Sequence, residues 1–223
     1  MSWDGTSVRL MEIASRRTDF YRETARWIAR RLPPGAHVCD AGCGLGFLSL
    51  ELAPYAGRVT AVDRSELALD VLRRECAARG AGNIDAVCTD VEAMRAQYDA
   101  MVFCLFAECE QGLRIARRQC RGDVFMALRA PGAHCRGRRG LSETLALLDA
   151  LGVPYQAQER TISFDQPLES MEQALAHAAR CGMTREELER RLVRTTGEAY
   201  PLCLPHERHM GFVHFCAADI PPV

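Results

Sequence analysis

An acid followed by three alternate glycines, Asp40-x-Gly42-x-Gly44-x-Gly46, is the pattern in this chain best suited to holding a ligand. It stands between a short apolar run, His37 to Cys39, and an apolar stretch, Phe47 to Leu52, so it reads as strand, tight turn and helix start. Glycines at alternate positions let the backbone turn sharply. They also leave no side chain between its N–H groups, that of Cys43 among them, and a nucleotide or nucleoside. About 20 residues past the first glycine, Arg58 to Asp63 is a second buried strand that ends in a carboxylate, the spacing at which a doubly wound fold sets an acid on a ribose. Two acceptor oxygens match the two hydroxyls of a diol, and they would repel a phosphate. Plainer readings exist for both features: the turn as an ordinary strand-to-helix connection, and Asp63, with Arg64 behind it, as a cap for the helix that starts near Ser65.

The elements that must position these groups alternate along the chain. Residues 7–32 carry apolar positions at helical spacing, from Val8 to Ile28, and Asp19 and Tyr21 among them read as surface or packing residues; Pro33-Pro34-Gly35 ends the segment. Glu66 to Arg79 is helical in pattern and stops at Gly80. Asn83 to Asp90 is a third strand, Tyr98 to Phe106 a fourth, Gln111 to Cys120 a helix and Asp123 to Leu128 a fifth strand. The alternation predicts an α/β fold, a Rossmann-like doubly wound, mostly parallel sheet with helices on both faces. Asp40, Asp63 and Asp90 then fall at the same edge of that sheet.

A dinucleotide fingerprint requires its third glycine where Phe47 stands here, with Gly46 one residue early. The pattern as it stands resembles the first motif of the class I S-adenosylmethionine-dependent methyltransferases. The resemblance covers roughly residues 36–130. It implies S-adenosyl-L-methionine as cofactor, with the turn (Asp40, Gly42, Cys43, Gly44), Asp63 and Arg64 around it. It further implies that Asp90 accepts from the adenine amino group, that the Val91 backbone reads the ring, and that Cys104 lines the methionine end. Phe103-Cys-Leu-Phe departs from the Asn/Asp-Pro-Pro-aromatic motif of the branch that methylates nucleobase amino groups, and no Pro-Cys pair offers covalent attack on a pyrimidine. A base is needed only if the acceptor must lose a proton; Glu108 and His134, past the fourth and fifth strands, are the candidates.

The 223 residues suffice for one methyltransferase domain: N-terminal helices over 1–35, the core over 36–164, a helical insertion over 165–207 and a closing strand over 208–218. In the minimal fold the last two strands form a hairpin. Here Ser170-x-x-Gln173 and Thr184-x-x-Glu187 announce two helices between them, expected to cap the active site and bind the acceptor. Tyr200, His206 and His209 could line that pocket; with no acid or cysteine at fitting spacing, no metal is expected. A net charge of −1 argues against recruitment of nucleic acid or an anionic membrane and favours a small-molecule acceptor. The arginines of the 129–140 loop (Arg136, Arg138, Arg139) keep an RNA or protein methyltransferase open as the alternative, and a non-catalytic cofactor-binding protein is another. All 28 basic residues are arginine, which removes lysine Schiff-base and P-loop chemistry. No signal-peptide pattern follows Met1 and no apolar run approaches about 20 residues, so the expected location is cytoplasmic.

Overall fold

A computed structural model describes residues 3–131, 140–196 and 199–222. Its main sheet has seven strands: β1 (His37–Ala41), β2 (Arg58–Asp63), β3 (Ile84–Cys88), β4 (Tyr98–Cys104), β5 (Cys120–Arg129), β6 (Tyr155–Ser163) and, after three short strands described below, β10 (Glu207–Cys216). Their order is β3-β2-β1-β4-β5-β10-β6. The first five are mutually parallel, with Cys39 opposite both Thr60 and Met101, and β10 runs antiparallel to β5 with Phe212 opposite Ala127. This is the mixed, mostly parallel sheet that the sequence predicts.

The chain falls into two compact units. The first, residues 21–161 and 209–223 with the extreme N-terminus, holds the sheet. Alternation along β5 shows how it is layered. Val124, Met126 and Leu128 join one core cluster with Leu113 and Ala116 of α5 (Cys109–Gln119) and Leu148 of α6 (Leu141–Leu151). Phe125 points the other way, onto Trp27 of α2 (Phe20–Ala29), which also meets Phe212. Burying both faces explains why the central strands are nearly all apolar: Val38, Cys39, Ala100, Met101, Val102 and Phe103 are fully buried. α3 (Phe47–Leu52) and α4 (Glu66–Arg79) pack beside β2. Ser65 caps α4 by accepting from the Ala68 N–H, and Gly80, in the left-handed region, ends it.

The second unit comprises residues 4–20 and 162–208. α1 (Gly5–Arg17) opens on Asp4 and Ser7, which cap each other. Ser170 and Thr184 cap α7 (Met171–Arg180) and α8 (Arg185–Arg191), the two helices expected there. A three-stranded sheet accompanies them, β7 (Gln166–Leu168), β8 (Val193–Arg194) and β9 (Leu202–Leu204) in the order β7-β9-β8. The unit's core is small: Leu10, Leu168, Leu188, Leu202 and Leu204 with two alanines. Among the described residues no helix is long and apolar enough to cross a membrane.

Several boundaries differ from the sequence reading, among them the start of β5 at Cys120 rather than Asp123, and two differences fall at the carboxyl edge. β4 stops at Cys104 rather than Phe106, because Leu105 turns left-handed at φ 53°. β3 stops at Cys88, so Asp90 sits beyond the strand as the cap of a short 3-10 turn over Val91–Ala93.

Candidate active site

The Gly42–Gly46 turn is built on glycine for a geometric reason. Gly42, Gly44 and Gly46 have φ of 67°, 55° and 74°, a region that side chains strain against. Space is short as well. A Cβ on Gly46 would lie 2.5 Å from a Leu72 methyl, and one on Gly44 3.0 Å from the Trp3 indole. One on Gly42 would overlap the Phe106 ring. The Cys43 N–H closes the turn onto the Val62 carbonyl of the neighbouring strand at 3.0 Å.

Asp40 lies beneath this turn, 1 % exposed, and accepts from Ser49 Oγ of α3 at 2.6 Å. Burial pushes its carboxyl up to about 6, the nearby Asp63 carboxylate adding to the rise and the Ser49 bond opposing it. Asp40 therefore anchors the helix to the strand and presents no open carboxylate face. Burial, with Asp40 and Asp63 close by, also holds the Cys43 thiol well above its usual range, so it is no nucleophile at neutral pH.

The other two acids are open. Asp63 ends β2, half-buried; its Oδ2 accepts from the Gly44 N–H and its Oδ1 from the Ser65 N–H, each at 2.9 Å. The carboxylate thus ties the glycine turn to the start of α4 and keeps lone pairs for further donors. Asp90 follows β3, the next strand over, and its Oδ1 accepts from the Glu92 N–H at 2.9 Å. Arg64 reaches within 3.5 Å of its Oδ2 from solvent. Val91 is buried. The two acids and the turn therefore share one edge, as the parallel pairing of β1, β2 and β3 requires.

Sequence reasoning missed the support behind Asp90. Four side chains of α5 hold residues 91–92, two of them by the backbone: Gln119 Nε2 donates to the Val91 carbonyl at 2.8 Å, and Arg118 to that of Glu92. Gln111 and Arg114 donate to the Glu92 carboxylate. Their spacing along one helix is the signal that could have revealed them.

Of the remaining candidates, Cys104 closes β4 at the same edge and Glu108 is the exposed N-cap of α5. His134, Arg136, Arg138 and Arg139 lie outside the described residues. His209 Nδ1 pairs with Thr161 Oγ1 at 2.8 Å in the first unit. His206 donates its backbone N–H to Asp165 in the second, where the Arg17 guanidinium covers the Tyr200 ring at 4.9 Å. Tyr21 stacks on Phe47 as a packing residue. A cleft of about 710 Å³ opens beside β3, lined by His37, Thr60, Arg73, Asp85 and Tyr98, but neither the glycines nor Asp63 and Asp90 reach it.

The fit to an S-adenosyl nucleoside rests on the turn and the two acids. The glycines leave backbone that any Cβ would cover, one open carboxylate sits where a diol would be held, and a second follows on the adjacent strand.

Comparison with known proteins agrees with this geometry. Residues 38–122 match the family model described as a methyltransferase domain. The ubiquinone biosynthesis O-methyltransferase of Schizosaccharomyces pombe is 40% identical over 72 residues, 32% of this chain and 26% of that protein. The Coxiella burnetii protein of the same name is 43% identical over 60 residues, 27% of this chain and 25% of its own length. The chain thus spans about a quarter of the curated relatives it matches. Among solved structures, the YcgJ protein from Bacillus subtilis superposes with a TM-score of 0.58 at 14% identity, covering 86% of this chain and 98% of that one. Magnesium protoporphyrin IX methyltransferase from Synechocystis with bound S-adenosylmethionine gives 0.53 at 15% identity, covering 96% and 85%. At such identities these two likenesses speak for the fold.

Proposed function

We propose that this chain, which carries a class I S-adenosylmethionine-dependent methyltransferase domain, transfers a methyl group to an O, N or S atom of a small-molecule acceptor. The observation that carries the reading is the shared edge: three left-handed glycines after β1 with the open carboxylates of Asp63 and Asp90 after β2 and β3. S-adenosylmethionine, when bound, supplies a methyl made electrophilic by its sulfonium. The chain's own task is to hold that cofactor, align an acceptor and keep water out. In this reading Asp63 takes the ribose hydroxyls, the turn's N–H groups with Cys43 and Cys104 border the amino-acid end, and Asp90 with the Val91 backbone takes the adenine. Arg64 guards the outer face of Asp90. Residues 165–207, outside the matched region, supply acceptor selectivity, and Glu108 is the available base for an acceptor that must lose a proton.

Two features support a small acceptor. The net charge of −1 offers no field for nucleic acid, and the sequence relatives are named for O-methylation in ubiquinone biosynthesis. Calorimetric titration with S-adenosylhomocysteine tests the cofactor assignment, with Asp63→Ala weakening binding about 30- to 100-fold through loss of charge-assisted hydrogen bonds. Equal binding by both proteins removes the ribose role. A labelled-methyl screen across phenol, amine and thiol metabolites, run beside RNA and protein fractions, tests the acceptor class; label in the macromolecular fractions alone overturns it.

A further inference from the structure

The segment between β4 and α5, whose Phe106 and Ala107 pack against the main core, takes a backbone conformation that residues with a side chain seldom adopt. Leu105 and Ala107 both take left-handed φ, 53° and 63°, with Phe106 between them. Residues with a side chain resist that region, and glycine at either position would make the same turn without cost. The segment is fixed at both ends: the Leu105 N–H bonds to the Ala127 carbonyl at 2.8 Å, and the Glu108 carbonyl accepts the Gly112 N–H inside α5. Only the few bonds around 105–107 are left to change. What the strained turn achieves is to lay the half-buried Phe106 ring flat on the bare backbone of Gly42, while the Trp3 indole covers Gly44. Two aromatic rings thus stand on the glycines whose missing side chains open that backbone to a ligand.

We propose that Phe106 is an internal occupant of the glycine turn, displaced when a ligand runs across it, and that it thereby determines which adenosyl compounds bind well. The inference rests on the reading of this edge as the cofactor site. If Asp63 and Asp90 take the nucleoside, the portion of ligand that extends over the β1 turn is the amino-acid end. Only a ligand with that end meets the ring. Its apparent affinity is multiplied by the fraction of molecules in which Phe106 has left Gly42, and so lowered, whereas a truncated nucleoside escapes the penalty. A cofactor carrying both ends is able to offset the displacement through contact with the glycine backbone it uncovers. Left-handed strain at Leu105 and Ala107 keeps the covering arrangement from being too favourable.

The test compares S-adenosylhomocysteine with 5′-methylthioadenosine, which lacks the amino-acid end, by calorimetry on the full chain. Phe106→Ala is expected to bind S-adenosylhomocysteine about tenfold more tightly than the unaltered protein, with methylthioadenosine changed less than about twofold. Ala107→Gly relieves the covering turn and acts in the opposite sense, weakening S-adenosylhomocysteine by about threefold or more while raising the melting temperature. Trp3 emission should shift on titration with S-adenosylhomocysteine and stay constant with methylthioadenosine. Should alanine at 106 lower the folded fraction, Phe106→Leu keeps the site apolar and is expected to show a smaller gain of the same sign. Weaker binding of S-adenosylhomocysteine by Phe106→Ala, or equal shifts for both ligands, overturns the proposal and leaves the cofactor assignment standing. Failure of the unaltered protein and of every variant to bind either ligand removes both.

Discussion

The carboxyl edge of the main sheet has two halves of opposite character. At the ends of β2 and β3, Asp63 and Asp90 are held by backbone N–H groups at 2.9 Å, and α5 side chains hold the Val91–Glu92 segment that follows Asp90. At the ends of β1 and β4 the backbone is left-handed at Gly42, Gly44, Gly46, Leu105 and Ala107, two of them not glycine, and aromatic side chains lie over Gly42 and Gly44. In the proposed reading, one half is ready for a ligand and the other must rearrange. Affinity for a nucleoside and affinity for the rest of the molecule therefore have different physical sources: preorganised charge in one half, backbone freedom in the other.

Substitutions separate the halves, and the largest effect belongs to the glycine half. Gly46→Ala combines a φ of 74° with a Cβ only 2.5 Å from Leu72, so it should cost about 3 kcal/mol and lower the melting temperature by about 5–10 °C in a thermal scan. A smaller drop than about 1 kcal/mol would mean that the turn tolerates repacking and is less constrained than its angles imply. Next comes Asp63→Ala, already described, whose loss of about 2–3 kcal/mol should appear in ligand affinity. If Asp63→Ala instead lowers the melting temperature as much as Gly46→Ala, its bonds to Gly44 and Ser65 outweigh any role toward ligand.

Asp40 lies between these extremes and gives a pH signature. Its folded carboxyl, at about 6, binds a proton more tightly than the ordinary value of 3.8. Its contribution to stability is thus complete below pH about 4 and lost as pH rises through about 6. Asp40→Asn removes this titration while keeping an acceptor for Ser49. Urea melts at pH 4 and pH 7 should show the variant gaining about 2 kcal/mol relative to the unaltered protein between those values. An unchanged difference would place the carboxyl at an ordinary value. The smallest effect is expected from Gln119→Leu, which frees the Val91 carbonyl; S-adenosylhomocysteine should weaken about threefold to tenfold, with Asp90→Ala in the same background adding less than it does alone.

Most of the first unit was legible in the chain because its signals are local. Apolar runs ending in Asp63, the cap at Ser65 and the stop at Gly80 mark β2 and α4 at the residues where the structure has them. The arrangement past β4 was not. Leu105 and Ala107 carry no turn signal, and the ring of Phe106 is placed by a contact with Gly42, 64 positions away in the chain (106 − 42). Asp40 read as a ligand-facing acid by its position, but its partner, Ser49, sits on the helix after the turn and draws it inward. The small sheet of the second unit escaped notice for another reason: strands of two or three residues, one containing Pro167, show no alternation to detect. The capping serines and threonines there were readable because a cap is a short-range device.

One clasp near the end of the sheet has a consequence for how such a chain can change. β6 and β10 lie side by side, and Thr161 and His209, where the second unit leaves and rejoins them, are joined by a single 2.8 Å bond. The long excursion between them begins and finishes at one spot that the strands already fix, so lengthening, trimming or exchanging it adds little closure entropy. Evolution, or an engineer, can then trade that excursion, provided that α1, whose Leu10 belongs to the same small core, is exchanged with it.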